Sequence, residues 1–243
     1  VKDVIDTADL PTEYGSAIYQ GHQPDSDAPC VAMMRSAGAV LMGKTVSTEF
    51  ATFQPGRTRN PHNTAHTPGG SSSGSAAAVG AEMIPLAFGT QTAGSLIRPA
   101  AFCGAHAFKP THGTVNLAGM FELAPRLDTL GYMGRSVNDV AAFYDVVRGA
   151  ESSAPLANGL GRPPRIGICR THHWQEAQPE SVEAVESAAA RFAELGAQIG
   201  DCELPDDFAD LAGTHKTVLG GALVRSMADI RKNHGNEISE ILR

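Results

Sequence analysis

Blocks of apolar residues along this chain are separated by polar, glycine-rich stretches, and their periods predict alternating helices and strands. From Asp27 to Ala37, Val31, Met34 and Ala37 share one helical face and Gly38 follows, which predicts a helix stopped by a C-terminal glycine. Ala39-Val40-Leu41-Met42 predicts a short strand ending at Gly43-Lys44. The opening Val1-Lys2-Asp3-Val4-Ile5 reads as a strand entered in its middle. Ser75 to Met83 predicts a helix of small residues, and Ile84 to Phe88 a buried strand. Ser136 opens a capped helix, Val137 to Arg148, which Gly149 closes. A Ser/Pro/Gly connector spans Glu151 to Pro164. Beyond it, Arg165 to Cys169 predicts a strand, Glu180 to Leu195 a helix ended by Gly196, and Asp206 onward further helix.

Strands alternating with helices predict an α/β fold, a mixed β-sheet core flanked by helices, in a single domain over residues 1–243 with its core at about 40–150. The stretch from Thr52 to Gly74 breaks the alternation. It is rich in Pro, Asn, His, Thr, Gly and Ser, and a loop this long in a compact domain usually carries function.

Composition narrows the field. With 19 basic and 26 acidic side chains the formal charge is -7, which disfavours nucleic acid and anionic membranes as partners and leaves a small molecule. No apolar run approaches the roughly 18 residues of a membrane span, and the first twenty residues lack the pattern of a secretory signal, so a cytoplasmic location is expected. The cysteines Cys30, Cys103, Cys169 and Cys202 form no CxxC pair and are expected as reduced core residues, with no metal site. His62 and His66 are four apart, but in a Pro/Asn/Thr loop they are expected to make loop hydrogen bonds. His172-His173-Trp174 is expected to cover the strand ending at Cys169.

The candidate chemistry lies in two glycine-serine loops that bracket one helix and one strand: Gly69-Gly70-Ser71-Ser72-Ser73-Gly74 and Gly89-Thr90-Gln91-Thr92-Ala93-Gly94-Ser95. Glycines let the backbone turn its N–H groups towards developing negative charge, and serines supply a nucleophile or a proton relay. Other readings exist for the first loop alone. Its G-x-x-x-x-G run is followed by Ser75 and not by the lysine of a phosphate-binding loop. Gly70 to Gly74 also fits G-x-S-x-G with Ser72 at its centre, but a nucleophile elbow needs a preceding strand, and Pro61 to Pro68 is polar loop.

Together with Gly43-Lys44-Thr45-Val46-Ser47-Thr48-Glu49-Phe50, the GGSSxGSAAAV loop, the GTxTxGS segment leading to Pro99-Ala100-Ala101-Phe102-Cys103-Gly104, and Phe108-Lys109-Pro110-Thr111, the chain resembles the amidase-signature family, strongly up to about Gly149. The resemblance implies an amidase that cleaves a carboxamide C–N bond without a cofactor. It makes Ser95 the nucleophile, Ser71 the bridging serine twenty-four positions earlier and Lys44 the base, with a cis Gly70–Ser71 bond. It also implies an oxyanion hole from the N–H groups of Thr92, Ala93, Gly94 and Ser95, and substrate contacts at Gly70, Ser72 and Arg98. The Gln91 and Ser95-Leu96-Ile97-Arg98 pattern resembles the malonamidase-like branch, which implies that Arg98 meets a substrate carboxylate. Family members are longer, so the fold is expected to be incomplete at both ends. A glutamine-hydrolysing amidotransferase component, an inactive ligand-binding fragment and a homodimer all stay open.

Overall fold

The computed structural model describes residues 1–150 and 161–243, so residues 151–160 of the expected connector lie outside the described part. The chain divides into two compact units, Val1–Ala154 with Gly221–Arg243, and Pro155–Gly220, where the sequence pattern had predicted one domain.

In the first unit, helix α1 (Pro29–Ser36) ends as expected, with Gly38 at φ +85° just past its last turn. Residues 39–42 form no ladder. Pairing with the chain's opening begins just beyond it, where the Val1 amine donates to the Gly43 carbonyl and an isolated bridge joins Lys2 to Thr45, and Val40 and Met42 are exposed. An apolar run is a strand only where another strand's N–H and C=O groups lie alongside, and here none does.

Helix α2 (Ser73–Gly80) begins within the second half of the polar loop and leads into strand β1 (Leu86–Gln91). The strand is displaced by a few residues from the expected Ile84–Phe88, because its ladder partners run the full length of Thr129–Gly134. Between them lie α3 (Ile97–Phe102), β2 (His106–Phe108) and β3 (Thr129–Gly134), none of which the apolar periodicity signalled. The sheet order is β1-β3-β2, antiparallel throughout.

All six residues of β3 are buried because both faces of the sheet are covered. Phe88, Leu130 and Tyr132 join Val4, Ile5, Val31 and Phe143 in one cluster. Ala87 and Met133 join Ala76, Val79, Leu96 and Ala100 in another. Helix α4 (Val137–Val147) supplies Phe143 and starts on the predicted cap, with Asp139 N–H donating to Ser136 Oγ.

One local arrangement positions the site. Gly89 and Gly131 face each other across β1 and β3 and form a hollow that the side chain of Leu96 fills. A Cβ on Gly131 would lie 2.1 Å from Leu96 Cδ2, and one on Gly89 would lie 2.7 Å from Cδ1. Leu96 is fully buried, so the residue before it is held at the mouth of the sheet.

In the second unit, β4 (Arg165–Ile168) and β5 (Gln198–Asp201) pair in parallel, and α5 (Pro179–Glu194) connects them. Fold class is therefore mixed α/β as expected, with antiparallel and parallel pairs in separate sheets. Helix α6 (Leu211–Ser226) crosses the unit boundary in sequence. Its end and α7 (Ala228–His234) bring Met227 and Ile230 against Phe50 in the first unit. The expectation for cysteines holds for Cys30 and Cys103, which are buried; Cys169 is half-buried and Cys202 exposed, since both flank a small two-stranded sheet. His62 Nε2 bonds the Cys103 carbonyl at 2.9 Å, a loop contact as anticipated. His172 Nε2 lies 3.3 Å from the Pro205 carbonyl.

Candidate active site

Lys44, the expected base, does not lie beside Ser71. Lys44 Nζ donates to the carbonyls of Ile5 and Pro11 and to Thr12 Oγ1, at 2.9, 3.2 and 2.5 Å, and lies 3.4 Å from Asp3 Oδ1. Those acceptors, all in the segment after Lys2, draw it away from the serines. Burial lowers its pKa, and Asp3 opposes that shift.

Lys2 holds the place that Lys44 was expected to hold. Its neighbours Val4 and Ile5 enter the core, its side chain is fully buried, and its Nζ lies 2.7 Å from Ser71 Oγ and 2.7 Å from Thr90 Oγ1. Loss of hydration lowers its pKa from 10.5 to about 7, while the charge of Asp128 pulls the other way. An amine with such a pKa is substantially neutral at neutral pH and has a lone pair to accept a proton.

The Gly70–Ser71 peptide is cis, as expected. Ser71 is buried, and its carbonyl accepts the Thr48 N–H. The next residue joins the two loops: Ser72 N–H donates to the Ser95 carbonyl at 3.1 Å. The Ser72 hydroxyl faces the Thr90 backbone, 3.2 Å from both its carbonyl and its N–H, and the residue is fully buried. The hydroxyl, expected at a substrate, is engaged here in fastening α2's leading turn to β1.

Ser95 is half-buried in the turn between β1 and α3. Gln91 Oε1 accepts the N–H groups of both Leu96 and Ile97 at 3.0 Å, which pins the chain on the far side of Ser95. Thr92 Oγ1 donates to Asp128 Oδ1 at 2.6 Å on the near side. Between these anchors the N–H groups of Ala93, Gly94 and Ser95 donate to no acceptor among the described residues. Arg98 Nη2 donates to the Gly70 carbonyl at 2.7 Å, linking α3 to the first serine loop.

A small cavity of about 110 Å³ opens beside Thr90, Thr92 and Asp128, walled by Leu117, Met120 and Phe121. The larger cavity, about 540 Å³, is lined by Met34, Val40, Leu41 and Met83 and touches none of Lys2, Ser71 or Ser95. Among the described residues no cluster of three His, Cys, Asp or Glu side chains is placed to hold a metal.

A sequence profile of the family described as Amidase matches residues 1–239. The chain belongs to the Amidase family. Among curated relatives of this Amidase-family chain is a Glutamyl-tRNA(Gln) amidotransferase subunit from Symbiobacterium thermophilum, 40% identical over 223 residues, covering 84% of this chain and 46% of that protein. A crystal structure titled simply as an amidase superposes with TM-score 0.89 at 28% identity, covering 100% of this chain and 56% of the other. The native peptide amidase of Stenotrophomonas maltophilia gives TM-score 0.76 at 33% identity, with coverage of 97% and 53%. The chain thus spans about half the length of the relatives it matches.

Sequence reasoning passed over Lys2, Thr90, Gln91 as a cap, and Asp128. For Lys2 the local signal was incomplete: Val1 to Ile5 sets Lys2 and Asp3 among apolar residues, but nothing in that run says which side chain meets Ser71.

Proposed function

We propose that this protein hydrolyses a carboxamide C–N bond through an acyl-enzyme on Ser95, with Ser71 and Lys2 as the proton-transfer pair. The observation that carries the reading is the buried Lys2 amine, 2.7 Å from Ser71 Oγ and with its pKa lowered to about 7. Ser95 Oγ attacks the carbonyl carbon, its proton passes to Ser71, and the Ser71 proton passes to the neutral Lys2. The oxyanion that forms is met by the N–H groups at the 92–95 turn, where each donor is typically worth about 3 to 4 kcal/mol in the transition state. The proton returns through Ser71 to the leaving nitrogen as the C–N bond breaks. Water then repeats the sequence on the ester, releasing the acid and restoring Ser95. No step calls for a cofactor.

Arg98 bears on the substrate. One guanidinium nitrogen is used on the Gly70 carbonyl and no carboxylate pairs with the group among the described residues, so the remaining donors suit an amide that carries an acid. Arg98→Ala is expected to lower the preference for acidic over neutral amides; an unchanged ratio would sink that assignment, whatever happens to the overall rate.

The deciding experiment is intact mass after incubation with a fluorophosphonate, run on the protein and on Ser95→Ala, Lys2→Ala and Lys44→Met. A single adduct is expected for the native protein, none for Ser95→Ala or Lys2→Ala, and a retained adduct on the folded fraction of Lys44→Met. Labelling of Lys2→Ala at the native rate would remove Lys2 from the chemistry. The curated relatives named as amidotransferase subunits favour a second reading, glutamine hydrolysis with ammonia passed to a partner. Copurification of a partner with glutamine-dependent transfer would establish it. A cytoplasmic, small-molecule enzyme is consistent with both, and no helix among the described residues is long and apolar enough to cross a membrane.

A further inference from the structure

Building on the Ser95–Ser71–Lys2 reading, we infer that Asp128 is a positioning residue, which fixes the near end of the Ser95 turn through Thr92 and places a negative charge towards Lys2. Asp128 touches neither serine. Its Oδ1 accepts from Thr92 Oγ1 at 2.6 Å, and its Oδ2 accepts the N–H groups of Leu123 and Ala124 at 2.9 and 2.8 Å.

Each of these contacts has a distinct use. The two amide donors hold the carboxylate rigidly over the turn before β3, and the turn closes on itself where Asp128 N–H donates to the Ala124 carbonyl at 2.8 Å. With one oxygen so fixed, the other is a firm acceptor for Thr92, the first residue after β1. The next three N–H groups, of Ala93, Gly94 and Ser95, have no acceptor among the described residues, so their direction depends on where Thr92 is tied. The far end of the turn has its own anchor in Gln91 Oε1, and the two anchors span the nucleophile.

The charge acts on the second half of the site. Lys2 is surrounded by hydroxyls, and Asp128 is the ionisable side chain among the described residues whose charge opposes the loss of hydration there. Asp3, next in sequence, faces Lys44 instead. An anion at Asp128 favours the protonated amine, so its loss moves the Lys2 titration to lower pH.

The test measures pH profiles of kcat and kcat/KM on the full chain, for Asp128→Asn and Thr92→Val, with Lys2→Ala alongside. Asp128→Asn is expected to lower plateau kcat by about ten- to a hundredfold, with little change in KM, and to shift the acidic limb of kcat/KM to lower pH. Thr92→Val keeps the charge and is expected to lower the plateau while leaving the limb in place. A purely structural Asp128 would lose folded protein, counted by near-ultraviolet circular dichroism, with the limb unmoved and normal turnover per folded molecule; that result overturns the inference. So does a native plateau in Asp128→Asn. If Lys2→Ala is inactive in either case, the base assignment survives, whereas an active Lys2→Ala defeats that assignment separately.

Discussion

At the scale of single residues, Lys2 and Lys44 show how two cations in one core come to different uses. Lys44 has four acceptors within reach, one of them a carboxylate, and clamps the segment that carries Lys2. Removing it takes a charged donor from the part-buried Ile5 carbonyl and the Thr12 hydroxyl and an ion-pair partner from Asp3, so Lys44→Met is expected to cost roughly 1 to 3 kcal/mol in chemical denaturation. Lys2 Nζ bonds the hydroxyls of Ser71 and Thr90, and its proton affinity falls because burial outweighs the charge of Asp128. With the neutral amine as the proposed base, kcat/KM is expected to rise with pH through about 7. Stability follows the same group. Between about 7 and the ordinary 10.5 the unfolded chain holds the proton and the folded one does not, so Lys2 makes stability rise with pH across that window. Comparing denaturation of the native protein and Lys2→Met at pH values near 7 and 8.5 isolates this from Cys30, whose thiol burial pushes up to about 12. A rise of equal size in both proteins would contradict it. The two serine loops were legible in the sequence as local glycine-rich patterns, and the resemblance they carry implied the roles proposed for Ser71 and Ser95. The lysine was not, since which amine reaches Ser71 is decided by a bridge between Lys2 and Thr45 that no local pattern encodes.

Among elements, legibility followed the same division. Helices α1, α4 and α5 carry periodic apolar faces and end signals, and they fall within one or two residues of expectation. Strands β2 and β3 are too short or too rich in glycine to stand out, and take their form from pairing. The expected strand at 39–42 failed for want of a partner. The paired glycines of β1 and β3 are where element and site meet. Gly131→Ala drives a methyl into Leu96, and is expected to cost about 1 to 3 kcal/mol and to lower fluorophosphonate labelling of Ser95 more than folded content. Equal losses of both would show that the hollow serves packing alone.

For the whole molecule, the first unit is closed by contacts between segments remote in sequence. Glu49 is buried, accepting from Ser16 Oγ at 3.1 Å with one oxygen and from Ser239 N–H at 3.1 Å with the other. Beside it Phe50, at φ 47° and fully buried, packs on Met227, Ile230 and Ile238. A left-handed conformation at a bulky residue persists only where its surroundings over-determine it. Glu49→Ala is therefore expected to accelerate amide hydrogen exchange across residues 228–242 before it alters exchange in β3; unchanged protection of α7 would refute this. Sequence signals placed a connector at Glu151 to Pro164, but they gave no hint that the chain returns from Gly221 onward to complete the first unit.

The glycine hollow has one further consequence. Its depth is set by what is missing at 89 and 131; Leu96 plugs it on both sides and Ser72 closes on Gly89 as well, so a change at 131 is felt first at Leu96. A methyl added at 131 is tolerable if the plug shrinks, and Gly131→Ala combined with Leu96→Val should recover labelling that Gly131→Ala alone loses. On the proposed reading, the position of Ser95 is thereby set in part by two glycines of β1 and β3 that are given no role in the chemistry.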